Sequence, residues 1–216
     1  MTVAPAPTLD ELRARVDQMQ GRPAAQPVAT HSAFAGLLQL QTGSSYGVDS
    51  ASLAMALMAG PSADGAWCGV VGSAEFGLEA AAAAGVDLRR TILVPDPGDA
   101  WLEVTAALID VLGVVVVAAP AQVAGKDVSR ISARLRQRGS VLIAYGDWPR
   151  CDARLSLRDA EWVGMGRGHG HLQARRVTVE VRRGTAPART RRLWLPDRAQ
   201  VIRRVEVEAA RLRSVS

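Results

Sequence analysis

Lysine is almost missing from this chain: Lys126 stands alone among 26 basic residues, the other 25 being arginine. A lysine-dependent phosphate site or Schiff-base chemistry therefore has one position at which to occur. Cysteine is nearly as scarce. Cys68 and Cys151 lie too far apart to suggest a zinc ligand pair or a disulfide framework, and are expected as ordinary buried or half-buried thiols. Aromatic residues make up 4% of the chain, too few for the rows of exposed rings on which single-stranded nucleic acid stacks. No run of eighteen apolar residues occurs, and Met1–Pro7 lacks the basic-then-apolar order of a secretion signal, so the expectation is a soluble cytoplasmic protein with no membrane contact.

What is present suffices for a substantial core. With 216 residues, 48% of them hydrophobic, one domain with an appended arm or tail accounts for the length. The formal charge of +5 hides an asymmetry. Residues 1–129 carry 6 basic and 13 acidic side chains, a balance of −7, and residues 130–216 carry 20 and 8, a balance of +12. A basic half points to nucleic acid, to an acidic partner or to a solvated face; the near-exclusive use of arginine also fits a coding bias.

Along the chain, Thr8 and Glu11 form a capping box, and Leu9, Leu12, Val16 and Met19 share one helical stripe before Gly21. This predicts an amphipathic helix over residues 1–21, followed by a Pro/Ala-rich linker over 22–30. The core is expected over 31–196, with strand Leu37–Gln41, helix Ser50–Ala59, strand Trp67–Val71, helix Leu78–Ala84, strand Thr91–Val94, helix Ala100–Leu112, strand Val114–Ala118, helix Val128–Arg138 and strand Ser140–Tyr145. Apolar runs alternating with helices predict an α/β fold with a mostly parallel sheet flanked by helices. After Trp148 the pattern becomes period two over Arg154–Met165, Ala174–Arg182 and Thr190–Leu195, an antiparallel β-meander in which Trp162 and Trp194 are expected to point inward. A basic tail over 197–216 closes the chain.

Between the first strand and the first core helix stands Thr42-Gly43-Ser44-Ser45-Tyr46-Gly47-Val48-Asp49-Ser50. A working phosphate loop reads GxxxxGK[ST]: backbone N–H groups cradle the phosphates, the lysine reaches the β/γ oxygens and the hydroxyl holds Mg²⁺. Here Gly43 and Gly47 are followed by Val48 and Asp49, so the segment reads as a degenerate loop with no cation and a carboxylate beside the vacancy. The strand Val114–Val117 ends in Ala118, where a Mg²⁺-orienting aspartate would be needed. No nucleotide cofactor and no metal are expected.

Other chemistry is weak. Glu75, after the Trp67–Val71 strand, reads either as a relic of a catalytic carboxylate or as a solvated helix start. The only Gly-Lys pair, Gly125-Lys126, follows Pro120 and precedes Asp127, which predicts a plain loop with Asp127 as helix cap. His169 and His171 offer at most two ligands on a hairpin, and with His31 complete the histidines. No Ser/His/Asp order or nucleophile elbow appears. The enzyme reading is poor throughout.

The succession of N-terminal helix, linker, strand, Gly-Ser-Ser-x-Gly loop, α/β core and late meander resembles the RecA recombinase core, as do Gly85–Leu88 with the following Asp96-Pro97-Gly98, and Leu135–Tyr145. The resemblance covers roughly residues 8–195. The family's lysine, hydroxyl and aspartate fall on Val48, Asp49 and Ala118. A compact, Arg/Ala-rich, nucleotide-defective relative of RecA resembles the actinobacterial ImuA-type accessory proteins of the DNA-damage-induced mutasome. That resemblance implies a non-catalytic adaptor in translesion synthesis, in contact with an ImuB-like protein and an error-prone DNA polymerase, and a homo-oligomer formed through the N-terminal helix. Candidate partner-binding residues are Leu9, Leu12 and Val16 in the helix and Val201, Ile202 and Val205 in the tail. Arg150, Arg154, Arg158, Arg175, Arg182 and Arg191 form a candidate basic patch. The alternatives are a DNA-binding protein using its basic half, and an ATPase with an unorthodox loop.

Overall fold

A computed structural model describes residues 24–165 and 170–206, with side chains at 165, 170 and 171 left out. The expected N-terminal helix with Leu9, Leu12 and Val16, residues 207–216, and the side chains of His169 and His171 lie outside the described residues.

Val, Ile and Leu runs form the interior of a nine-stranded sheet. Its members are β3 (Ser45–Val48), β4 (Cys68–Val71), β5 (Thr91–Val94), β6 (Val114–Ala118), β7 (Val141–Tyr145), β8 (Ala153–Met165), β9 (Gly170–Arg182), β10 (Arg189–Trp194) and β11 (Arg203–Arg204), in the order β11-β10-β9-β8-β3-β7-β6-β4-β5. Pairings from β5 through β8 are parallel, and β9, β10 and β11 are added antiparallel. The α/β class, the parallel block and the antiparallel meander match the sequence expectation. β1 (Pro27–Val28) and β2 (Leu40–Gln41) form a separate antiparallel ribbon.

Four helices cover the parallel strands. Helix α1 (Ala51–Ala63) is apolar on nearly every side and correspondingly buried; the Ser50 Oγ accepts the Leu53 N–H at 3.3 Å and fixes its start. With α2 (Leu78–Ala83) it shares one core with Phe34, Leu40, Tyr46 and Val48. Helix α3 (Trp101–Ile109) and helix α4 (Gly125–Arg138) share a second core with Val71, Val115, Leu142 and Trp148. Only one stripe of α4 is apolar, so Val128, Ile131 and Leu135 turn inward while its arginines stay in water, and Gly139 at φ 71° ends it in the left-handed conformation. Asp110 ties the two helices together, accepting from Arg134 and, at 3.1 Å, from Arg138.

Three expectations need correction. Leu37–Gln41 is not the first core strand: only Leu40–Gln41 is extended, and it pairs with β1. The first core strand is Ser45–Val48, because Tyr46 and Val48 bury one face while the positive φ of Gly43 (76°) supplies the turn into it. The 22–30 stretch is not a free linker within its described part: Val28 pairs with Leu40, and the segment that follows packs on α1. Nor does the core stop at 196. Asp197 and Ile202 are buried and β11 extends the sheet, so a tail could begin only beyond 204. Among the described residues no helix is long and apolar enough to cross a membrane.

Candidate functional site

The Gly43–Asp49 segment is a strand with a short exit rather than a cradle. All four residues of β3 are buried, Val48 wholly so, between β7 on one side and β8 on the other. Only Asp49 and Ser50 separate β3 from α1. Both ends of the segment are tied to neighbouring strands: the Val48 carbonyl accepts the Gly146 N–H at 3.0 Å, and the Gly43 N–H donates to Ser140 O at 2.9 Å. Both Asp49 carboxylate oxygens accept the Leu157 N–H at 3.2 Å, which anchors β8 beside β3. The sequence expectation of a loop that lost its lysine is thus corrected to a strand that replaced the loop. At the end of β6, Gly72 (φ 75°) crosses so close that a Cβ there would sit 3.2 Å from the Ala118 carbonyl oxygen.

Gly47 serves a different purpose from the one its motif suggests. A side chain at this position would meet the Cys151 sulfur at 3.1 Å and the Arg154 guanidinium carbon at 3.3 Å. The gap lets Arg154 reach across β3 and donate to Trp148 O at 2.6 Å and Gly146 O at 3.4 Å. Asp152 holds the other end of the same strand, accepting the Ser45 N–H at 2.8 Å. Glu75 lies in the turn between β4 and α2, and α4 begins after Ala124 rather than Asp127, which sits in its first turn.

The six arginines of the expected patch do not form one surface. Arg154, Arg158 and Arg182 share the sheet face opposite α1, where Arg154 pairs in register with Arg182, and Ser156 with Glu180. Arg158 and Arg182 flank Glu180 at 3.8 and 2.8 Å, and the Arg182 hydrogen bond holds that carboxyl below the usual range. Arg150, in the left-handed region at φ 56°, stands at the margin and donates to Gly125 O. Arg175 and Arg191 belong to the other face. Arg175 lies over Trp162 at 5.2 Å and donates to Leu195 O at 2.9 Å; burial lowers its pKa. Arg191 donates to Ala35 O, alongside Arg189 to Gly36 O and Arg204 to Ser32 O and Ala33 O. These three clamp the outward carbonyls of the 32–36 turn, a structural task.

In their place the fold supplies Arg176, Arg192 and Arg203, which sequence reasoning missed. A one-residue bulge at Asp159 (φ 50°) resets the parity of β8, so Glu161, Arg176, Trp194 and Arg203 form one cross-strand row on the open face. Trp194 is half-buried beneath Arg203 at 6.0 Å, while Trp162 is 49% exposed rather than inward. Of the candidate partner-binding tail residues, Val201 is exposed, Val205 half-buried, and Ile202 belongs to the core.

A mixed sheet with helices on both faces of its parallel half and, among the described residues, no helix on one face of its antiparallel half defines an α/β protein. Residues 34–150, 117 of the 216, match the family described as MT3502 N-terminal domain, and the chain belongs to that family. The matched span runs from the 32–36 turn through β7 and stops short of the meander. A relative from Mycobacterium tuberculosis, the uncharacterized protein Rv3395c, is 37% identical over 113 residues, covering 50% of this chain and 53% of the relative. The chain spans about half the length of the curated relative it matches.

Proposed function

We propose that the protein is a non-catalytic adaptor on a RecA-like core, an accessory of DNA-damage-induced translesion synthesis that works by contact with an ImuB-like protein and an error-prone polymerase. One observation carries the non-catalytic part: the segment that aligns with a phosphate loop is a buried strand with a two-residue exit, closed by Asp49. Phosphate sites need free N–H groups at a helix start and a neighbouring cation. Here the Gly43 N–H is already donated to Ser140 O, and the side chain beside the helix start is the Asp49 carboxylate. An intact core without that chemistry is kept for its surfaces. Support for the RecA-like reading is the order of the elements, a parallel block whose first strand borders the later antiparallel additions.

The experiment joins two measurements on the full chain. Titration with a fluorescent ATP analogue and Mg²⁺ is expected to show no saturable binding. Co-purification with an ImuB-like partner is expected for the intact chain and is expected to fall when residues 1–21 or 207–216 are removed, cuts that spare β11 and Ile202. Saturable nucleotide binding overturns the non-catalytic reading. Failure of the intact chain to retain the partner overturns the adaptor reading.

A further inference from the structure

The nine-stranded sheet ends at β5, and among the described residues no strand pairs with its outer side. The Val94 carbonyl accepts the Gly72 N–H at 2.9 Å, and Val94 stands beside Val71 in the parallel register, so the peptide groups of Val94 and Ile92 face β4. Alternation turns those of Thr91 and Leu93 outward. The Thr91 N–H is already donated to Leu88 O, and Pro95 has none to give. Among the described residues of this edge, Leu93 alone keeps both its N–H and its carbonyl free. An added strand finds few partners here in most registers, a common protection of natural sheet edges.

The flank above β5 is nevertheless apolar. Glu103 is the only charged residue within α3, and Asp110, just after it, faces α4 through Arg134. On the opposite flank Val104 and Leu108 are half-exposed and Val111 is 74% exposed. A Cβ at Gly69 would lie 3.0 Å from the Leu108 side chain, and Gly69 pairs with Ile92, itself 37% exposed, so this flank looks over the edge strand. A helix apolar nearly all round is ordinarily covered nearly all round, as α1 is; α3 has a helical neighbour on one flank only.

We infer that a second copy of this chain covers this edge, the two β5 strands running antiparallel about a two-fold axis at Leu93. The sequence around that residue selects a copy of the chain over a foreign strand. Outward from Leu93, Ile92 is matched by Val94 and Arg90 by Asp96. An axis at Leu93 lets the two copies of that residue exchange N–H and carbonyl, sets each Ile92 against a Val94 and sets each Arg90 against an Asp96. Opposite charges directly across a strand pair attract and like charges repel. Arg90 and Asp96 are both exposed and, among the described residues, neither has an ionic partner; Arg90 donates to Gly65 O at 2.6 Å. Arg89 is closed onto Asp87 and takes no part. A short edge with its flanking side chains buries little for a specific contact, below about 1,200 Å² in total, so the expectation is a reversible dimer with a micromolar Kd. The inference does not depend on the adaptor reading and uses none of the residues assigned to it.

The test is sedimentation velocity of the full chain from about 2 to about 200 μM, which is expected to show monomer and dimer in exchange. Arg90→Glu and Asp96→Arg are each expected to raise the Kd at least about tenfold, since each places like charges at both ends of the contact, with melting curves close to that of the parent. Mixed together, the two single variants are expected to form a heterodimer of parental strength, because the charges then match at both ends. Leu12→Glu/Val16→Glu probes the competing occupant, the N-terminal apolar stripe, and is expected to leave the dimer as it is. A monomer at the highest concentration, a Kd unmoved by either charge reversal, failure of the mixed variants to pair, or loss of the dimer in Leu12→Glu/Val16→Glu would each overturn the assignment.

Discussion

Replacing Val48 by lysine and Asp49 by threonine writes the Gly-Lys-Thr ending of a phosphate loop into this chain, and the outcome discriminates between a loop that lost its lysine and a strand that took its place. On a solvent-exposed loop the exchange is nearly neutral in stability. At position 48 it is not, because Val48 is fully buried in β3 against α1. Removing a buried valine forfeits about 1.5–3 kcal/mol. An ammonium group left in that place must shed its proton or its water. Neutralising lysine at pH 7 costs about 4–5 kcal/mol, the distance from 10.4 to 7 at 1.36 kcal/mol for each pKa unit. Val48 is the last residue of its strand, so part of this is relieved if the lysine stem threads outward. The expected loss is therefore about 3 kcal/mol with threading and about 6 without it, a large share of a domain's roughly 5–15 kcal/mol. For a chain of this size that lowers Tm by roughly 6–24 °C. Urea denaturation and calorimetry with MgATP are the assays: destabilisation without nucleotide binding is expected. A Val48→Lys/Asp49→Thr variant within about 1 kcal/mol of the parent, or one that binds MgATP, would refute the reasoning.

Three further outcomes follow from other parts of the molecule. Gly60→Ala, in the middle of α1, ordinarily stabilises a helix by about 1 kcal/mol, but the added methyl would stand 2.5 Å from the His31 backbone nitrogen and 2.8 Å from Thr30, so a net loss of about 1–2 kcal/mol is expected in chemical denaturation; a gain would mean that the segment after β1 does not pack on α1. Asp110 titrates at about 2 in the fold, first because Arg134 hydrogen-bonds its carboxylate; with the folded value below the unfolded one, its stabilisation is present above about pH 4 and lost as pH falls from there through about 2, so Asp110→Asn should flatten the stability curve over that window and leave its shape near neutrality unchanged. Burial raises the Cys68 thiol to about 11 and hides it from solvent, so a thiol reagent at pH 8 should label the half-buried Cys151 first and Cys68 only on unfolding, with the order read by peptide mass spectrometry.

The limits of the sequence show at particular residues. β6 falls at Val114–Ala118 as its valine run requires, because a strand buried on both faces needs no alternation, and the apolar run Thr91–Val94 forms β5 at the half-exposed edge. Ser45–Val48 was not legible in the same way. Its serine, tyrosine and glycine imitate a turn-forming loop, and only pairing with β7 and β8 makes the segment extended and buried. The basic patch failed for a geometric reason. An arginine's face is set by strand parity: Arg175 and Arg182 stand an odd number of residues apart on β9, and Arg191 pairs with Val179, so residues grouped by charge separate across the sheet. The bulge acts instead on Trp162, which it turns to the α1-side face beside Arg175, where the ring is nonetheless 49% exposed.

By itself, the sequence determined the α/β class, the parallel block, the meander and the missing lysine, since apolar periodicity and residue identity are local properties. Tertiary structure decided that β3 fills the place of the loop, that Gly47 clears a path for Arg154, and that Arg158, Arg182 and Arg192 share one open face. Each of these depends on which strands lie side by side and in what register, and register couples residues more than a hundred positions apart, as in the Asp49 carboxylate and the Leu157 N–H.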